Sequence, residues 1–413
     1  MTSVKTSSAH SVAPPHWAVL LGPAMVAAAA YVDPGNVASN TTAGARYGYL
    51  LVWVVVGANV MAGLVQYLAA KLGIVTGRSL PEVLGDRLPR GGRLAYWLQA
   101  ELVTMATDVA EVLGGAIALA LLFDLPLLWG GVLTAVVSMA LLSTRDRGGP
   151  HRFEQLIIGM LGVVAVGFVA GLFVAPPAAG AVAGGFVPAF AGGDSVLLAA
   201  AMLGATVMPH AVYAHSALAR DRHGQAFGPR RARLLAATRV DVTVALLVAG
   251  AVNLGLLLLG ATTLGGDARS DTIEGVHAAI GDHLGAGVAL LFAVGLLCSG
   301  LASTAVGCYS GSVVLGGLLR RSVPLVPRRA ITAIPALAVL AAGAEPTTAL
   351  IVSQVVLSFG IPFALVPLVV LTSRRAVMGP ARNHPATILA ATAVCTAIVG
   401  LNAALLVLTF TPG

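Results

Sequence analysis

Charge is what this chain has least of. Only 10% of its 413 residues are Asp, Glu, Lys or Arg, where a soluble domain carries about 25%. That scarcity excludes an ordinary soluble domain. Cysteine is nearly as scarce: Cys298, Cys308 and Cys395 each lie inside an apolar run. None has the spacing of a zinc site, a redox pair or a disulfide framework, so they read as small apolar fillers and say nothing about the redox compartment. No nucleophile motif or phosphate-cradling glycine loop occurs, so no enzyme and no resident cofactor is expected. Residues 1–17 are polar without a cleavage site and read as a short cytoplasmic tail.

What is abundant is apolar sequence, 57% of the chain. Repeated runs of about 18 or more apolar residues mean membrane helices. Eleven candidate spans emerge: 18–45, 48–70, 95–122, 125–143, 153–175, 195–219, 240–263, 285–318, 329–343, 346–373 and 386–410. The eighth is too long for one straight crossing, so it should protrude or bend near Ser299-Gly300, and the ninth is short. The connections are too short for a soluble domain, so residues 18–410 form a single transmembrane domain. The longest are 176–194, read as a flexible outer loop, and 220–239, read as a solvated inner face.

The net charge of +7 does not point to nucleic acid. With the N-terminus inside, the inner connections and the tail hold 22 of the 24 Lys and Arg. Only Arg46 and Arg269 fall outside. This positive-inside asymmetry predicts a cytoplasmic N-terminus and, after eleven spans, an external C-terminus. The abundance of arginine over lysine hints at a GC-rich genome, and a bacterial plasma membrane is the expected location.

Two spans are broken. Asp33-Pro34-Gly35-Asn36 interrupts the first, and Met208-Pro209-His210 interrupts the sixth. The segments align, Asp33 to Thr41 over Met208 to Ser216, with proline, valine and a hydroxyl residue in register. An offset of five spans gives halves of opposite orientation, so a 5+5 inverted repeat with broken helices 1 and 6 is expected, the eleventh span being an addition. A broken helix in each half is the best sequence pointer to a transporter's binding site.

Asp33 and Asn36 share a helix face. Pro34 removes a donor and Gly35 loosens the backbone, so carbonyls near Ala30 and Tyr31 lose partners. Such carbonyls are tolerated at membrane depth only against protein or a watery cavity. The alternative is a plain turn, since Asp-Pro-Gly-Asn is also strong turn sequence. Met208 is usually the kind of residue that packs, but here it precedes the second break, after a turn presenting the Ala205 carbonyl. A thioether favours transition metals, while oxygen ligands suit nearly any divalent ion. A mixed site would disfavour Ca²⁺ and Mg²⁺ relative to Mn²⁺, Fe²⁺ or Cd²⁺.

In the third span Glu101, Asp108 and Glu111 fall roughly on one face. A charge at the bilayer centre costs about 2.5–3.5 kcal/mol, so Asp108 and Glu111 are expected to line a proton path. Glu101 is read as solvated near the span end. The natural partners of the acids are Arg328 and Arg329, otherwise an inside anchor, and His210 and His215. His210 suits gating or proton transfer better than direct ligation. Gln354 in the tenth span is either helix–helix glue or a ligand offered on closure. Asn253 in the seventh reads rather as glue.

Taken together these motifs resemble the Nramp family, the proton-coupled divalent metal-ion transporters, from about Gly22 to Leu406. Ala30-Tyr31-Val32-Asp33-Pro34-Gly35-Asn36 and Met208-Pro209-His210 look like its two signatures. Ala106-Thr107-Asp108-Val109-Ala110-Glu111 and the Gln354 segment also look like family sequence. The resemblance implies a leucine-transporter-like fold and a metal held by Asp33, Asn36, Met208 and the Ala205 carbonyl, with Gln354 joining in some states. It implies proton passage by Asp33, Asp108, Glu111, His210 and the Arg328-Arg329 pair. Ala211 departs from the pattern, where many members carry Asn, while relatives that carry Mg²⁺ are expected to lack the methionine. The expected function is proton-driven import of Mn²⁺, with Fe²⁺ and Cd²⁺ also carried, by a monomer in the lipid bilayer. A sodium-coupled amino-acid symporter of the same architecture is the rival. Asp33 counts against it by repelling a substrate carboxylate.

Overall fold

The structure is a computed structural model that describes residues 22–321 and 323–410. The proposed tail 1–17, the start of the first span and residues 411–413 lie outside the described residues. The described chain is all helix, without a strand. Among the described residues nine helices are long and apolar enough to cross a bilayer. Two further segments bring the total to the expected eleven. The first span is split into Pro23–Ala29 and Pro34–Tyr47 by a 3₁₀ turn and an extended Asp33. The ninth is two eight-residue helices, Leu325–Thr332 and Ile334–Ala341. Large apolar side chains point outward around the bundle, among them Trp129 and Leu247, each 65% exposed. Such a surface suits lipid, which asks only that backbone polar groups be satisfied inside.

The breaks are where the alignment put them. Asp33 (φ −82°, ψ 169°) and Met208 (φ −78°, ψ 128°) are both extended. Each precedes a proline at the first position of the following helix. Proline drives the preceding residue out of the helical region, and its missing N–H costs nothing at a helix start. The same dipeptide logic therefore splits both spans at equivalent points.

Several boundaries differ from expectation. The third span starts at Arg90 and the seventh at Gly228, giving helices of 34 and 36 residues. Residues 220–239 are thus mostly helix, with much of the segment exposed, because Arg and Ala favour helix whether or not they lie in lipid. The eighth span, Ala286–Leu319, does not break at Ser299-Gly300 but runs unbroken for 34 residues. At 1.5 Å per residue it is about 51 Å long, so it protrudes beyond a hydrocarbon core of about 30 Å. The connection 176–194 is not free either. It contains the helix Ala179–Gly184, and Trp53 ties it to the second span through bonds to the carbonyls of Gly185 (2.9 Å) and Ala189 (3.2 Å). Arg46 and Arg269, the two exceptional cations, are matched by acids: Arg46 with Asp271, and Arg269 with Asp267 and Asp282.

The short helix Pro23–Ala29 owes its position to the seventh span. Asp241 accepts the N–H groups of Gly22 (3.1 Å) and Ala24 (2.9 Å). A carboxylate at a helix N-terminus satisfies orphan donors and complements the dipole. Further along, the first and seventh spans touch backbone to backbone. A Cβ on Gly44 would sit 2.0 Å from the Leu257 carbonyl oxygen, and one on Gly260 2.4 Å from that of Thr41. Small residues permit this approach. Gly260→Val should therefore lower stability by about 1–3 kcal/mol through overpacking. Gly57→Ala, with open space around it, should leave the melting temperature in detergent unchanged.

Candidate functional site

Pro209 cannot donate to the carbonyl four residues earlier, which is that of Ala205. That released oxygen accepts Nδ2 of Asn36 at 2.8 Å. The same Nδ2 also reaches Asp33 Oδ1 at 2.8 Å, and the Asn36 backbone N–H bonds that oxygen at 2.7 Å. Gln354 closes the other side, its Nε2 lying 3.1 Å from Asp33 Oδ2. The two broken spans and the tenth thus meet at one carboxylate. Asp33, Asn36, Ala205 and Gln354 are all wholly buried, and Met208 is 1% exposed at the break three residues beyond Ala205.

The site is rich in unspent acceptors. Because Asn36 Nδ2 is committed to two oxygens, its Oδ1 faces elsewhere, and it has no hydrogen-bond partner. Gln354 Oε1 is likewise unpartnered. Buried polar atoms normally find partners. Two orphaned amide oxygens beside a buried carboxylate are suited to a cation, which is bound by several oxygens at once. Among the described residues no group of three His, Cys, Asp or Glu gathers for a metal, so one carboxylate, amides, a carbonyl and a thioether are the donor set on offer. Glycines make the closure possible. A Cβ on Gly35 would lie 1.8 Å from Gln354 Nε2, and one on Gly204 2.3 Å from the Gln354 carbonyl oxygen.

Ala30, the counterpart of Ala205 before the first proline, opens the 3₁₀ turn. The carbonyls beside it are captured from neighbouring spans: Tyr31 by Asn253 Nδ2 (2.8 Å) and Val32 by Ser299 Oγ (2.5 Å). Asn253 also accepts from Asn40 (3.1 Å), so it acts as the expected glue. Gln354 touches the candidate ligand Asp33 directly.

Two of the third-span acids are paired, each with its own arginine. Arg329 meets Asp108 at 2.7 Å with both side chains fully buried. Arg328 meets both oxygens of Glu101, at 2.6 and 2.8 Å. Glu101 is therefore not solvated; its side chain is only 15% exposed. Consecutive arginines thus serve acids seven residues apart, about 10 Å along a helix, because their long stems diverge. Glu111 accepts from Ser303 at 2.6 Å and keeps Oε2 unpartnered. His210 stands beside this row, Nδ1 3.4 Å from Thr107 Oγ1 and its carbonyl held by Ser310. His215 does not join it: its Nδ1 faces Gln66 Oε1 of the second span at 2.6 Å.

Sequence reasoning missed the hydroxyls. Ser299, Ser303 and Ser310 of the eighth span contact the break, Glu111 and His210 respectively, and Ser138 of the fourth accepts from Arg329 (2.9 Å). The signal was there, since Ser299, Ser303 and Ser310 recur at spacings of four and seven, one helix face.

The chain matches the family model described as Natural resistance-associated macrophage protein-like over residues 24–408. It is 58% identical over 411 residues to the divalent metal cation transporter MntH of Mycobacterium tuberculosis, covering 99% of this chain and 94% of that one. Among solved structures it is similar to the Eremococcus coleocola manganese transporter, with a TM-score of 0.84 and 30% identity over 97% of this chain and 88% of that chain. Mhp1, a nucleobase-cation-symport-1 transporter, gives a TM-score of 0.60 at 16% identity over 97% of this chain and 94% of its own. That likeness shows the broken-helix fold alone.

Removing one member of a buried ion pair leaves the other charge uncompensated. Arg329→Met should cost about 3–5 kcal/mol, and adding Asp108→Leu should restore most of it. Melting in detergent checks both; a double variant no more stable than the single one would contradict the assignment.

Proposed function

Because this chain belongs to the Nramp family of membrane transporters, we propose that it imports divalent transition-metal ions across a bacterial plasma membrane, driven by protons. The observation that carries the reading is the buried Asp33 carboxylate flanked by the orphaned amide oxygens of Asn36 and Gln354. Mn²⁺ is the expected main substrate, with Fe²⁺ and Cd²⁺ also carried. Asp33, Asn36, Gln354 and the carbonyls of Ala205 and Ala30 supply hard oxygens, and Met208 supplies a soft sulfur. Borderline ions tolerate both, whereas Ca²⁺ and Mg²⁺ gain little from sulfur.

Coupling follows from the single carboxylate. Metal ligands must be deprotonated, so a metal arriving at Asp33 displaces a proton. Glu111, with one free oxygen, and Asp108, held by Arg329, form the acidic row onward, with His210 beside it. His215 belongs to a separate contact with Gln66 and lies apart from this row. The halves alternate around the fixed site, with the N-terminus cytoplasmic and one chain sufficient.

The amino-acid symporter is disfavoured by the same geometry. Such a transporter offers free amides at the broken helix to a substrate carboxylate. Here the Asn36 amide is already taken by Asp33 at 2.7 Å.

Proteoliposomes test this directly. Wild type should take up Mn²⁺ and Cd²⁺ with acidification of the interior, and Asp33→Ala should abolish uptake. Uptake of alanine or leucine without metal would overturn the proposal, and metal uptake without acidification would remove the proton coupling. Met208→Ala should keep Mn²⁺ uptake while letting Ca²⁺ compete; unchanged Ca²⁺ competition would overturn the selectivity role of the sulfur.

A further inference from the structure

The tenth span, Pro346–Ser373, contains two internal prolines, Pro362 and Pro367. Each lacks the N–H that would bond the carbonyl four residues earlier. The released carbonyls are those of Ser358 and Phe363. Both are captured by other spans. Asn402 Nδ2 of the eleventh span donates to the Ser358 carbonyl at 2.7 Å, and Asn402 Oδ1 faces Ser358 Oγ at 2.8 Å. Tyr96 of the third span donates to the Phe363 carbonyl, while its oxygen lies 3.0 Å from Tyr213 Oη on the second half of the sixth span. Gln354 lies one helical turn before Ser358, on the part of the span pressed against Gly204, whose Cβ would meet the Gln354 carbonyl oxygen at 2.3 Å and Ser358 Cβ at 3.1 Å.

We infer that Asn402 is a positioning residue: by replacing the hydrogen bond that Pro362 removes, it sets where the first half of the tenth span, and with it Gln354, closes over Asp33. The eleventh span, outside the five-plus-five core, thereby acquires a task at the site without touching it. Asn402 is 6% exposed and its amide is spent on Ser358 from both ends. An amide held this way does more than fill space, since either a leucine or an alanine would pack there with less desolvation. Without it, a carbonyl at membrane depth seeks another donor, and a proline-kinked helix has the freedom to bend until one is found. Tyr96 fixes the second half against the third and sixth spans, so the bend is confined to the segment carrying Gln354.

This inference rests on the metal-transport reading, and two readouts separate the pair. Asn402→Leu should speed amide hydrogen exchange in residues 350–361, measured in detergent without metal. It should also raise the KM for Mn²⁺ in proteoliposomes about tenfold, the size of one lost buried hydrogen bond. Pro362→Ala restores the intrahelical donor, so Asn402→Leu with Pro362→Ala should recover both values. In a Gln354→Ala background, Asn402→Leu should have no further effect on KM. A purely structural role would instead lower uptake equally in both backgrounds. Unchanged exchange, or failure of Pro362→Ala to rescue a protein that still folds, overturns the hinge. Faster exchange with a normal KM overturns the link to Gln354. Wild type that carries no Mn²⁺ strikes the function, while the exchange result still judges the hinge.

Discussion

The structure depends on one rule: a backbone carbonyl at membrane depth must find a donor. Pro34, Pro209, Pro362 and Pro367 each take a donor away from a spanning helix. Side chains from elsewhere answer three of them. Asn36 reaches the Ala205 carbonyl, Asn402 that of Ser358, and Tyr96 that of Phe363. Around the first break Asn253 and Ser299 hold the carbonyls of Tyr31 and Val32. The polar residues of this poorly charged chain are concentrated where the backbone is broken, and the breaks are where two half-spans meet a third. The site is a by-product of satisfying the backbone, with a carboxylate placed at its centre.

Buried charge follows a second, costlier logic. Asp108 and Arg329 are both fully buried, and an apolar pair of similar volume would serve stability at least as well. Here Asp108 stands in the same helix as Glu111, while Arg329 reaches it from the ninth span. Glu101 and Arg328 extend the row toward the exposed end of the span. The two consecutive arginines occupy the ninth span, and that helix is short and kinked, Leu325–Thr332 followed by Ile334–Ala341. Two adjacent arginines in one helix leave it about 100° apart. Their ion pairs show that both stems reach the third span despite it.

Much of this was legible in residues. Asp33 and Met208, each followed by a proline, are driven to extended backbone, so the two breaks and their equivalence followed from the dipeptides alone. The release of the Ala205 carbonyl followed from Pro209 four residues on. Glu101 was misread because a charge near a span end usually meets water; its partner lies over two hundred positions away. His215 was expected to partner the acids with His210, yet it faces Gln66, because five residues along a helix turn a side chain well away from the first. The helix of the seventh span runs back through residues read as a solvated inner face, since helix propensity does not stop at the membrane boundary.

By itself, then, the sequence determined how many times the chain crosses, where it breaks, and which atoms the breaks set free, because proline geometry and apolar run length act locally. Only the tertiary structure decided who answers those atoms. Asn402 to Ser358, Gln354 to Asp33 and Arg329 to Asp108 join residues far apart in the chain, and hydrogen bonds and ion pairs depend on distance in space, which no spacing along one strand of sequence records.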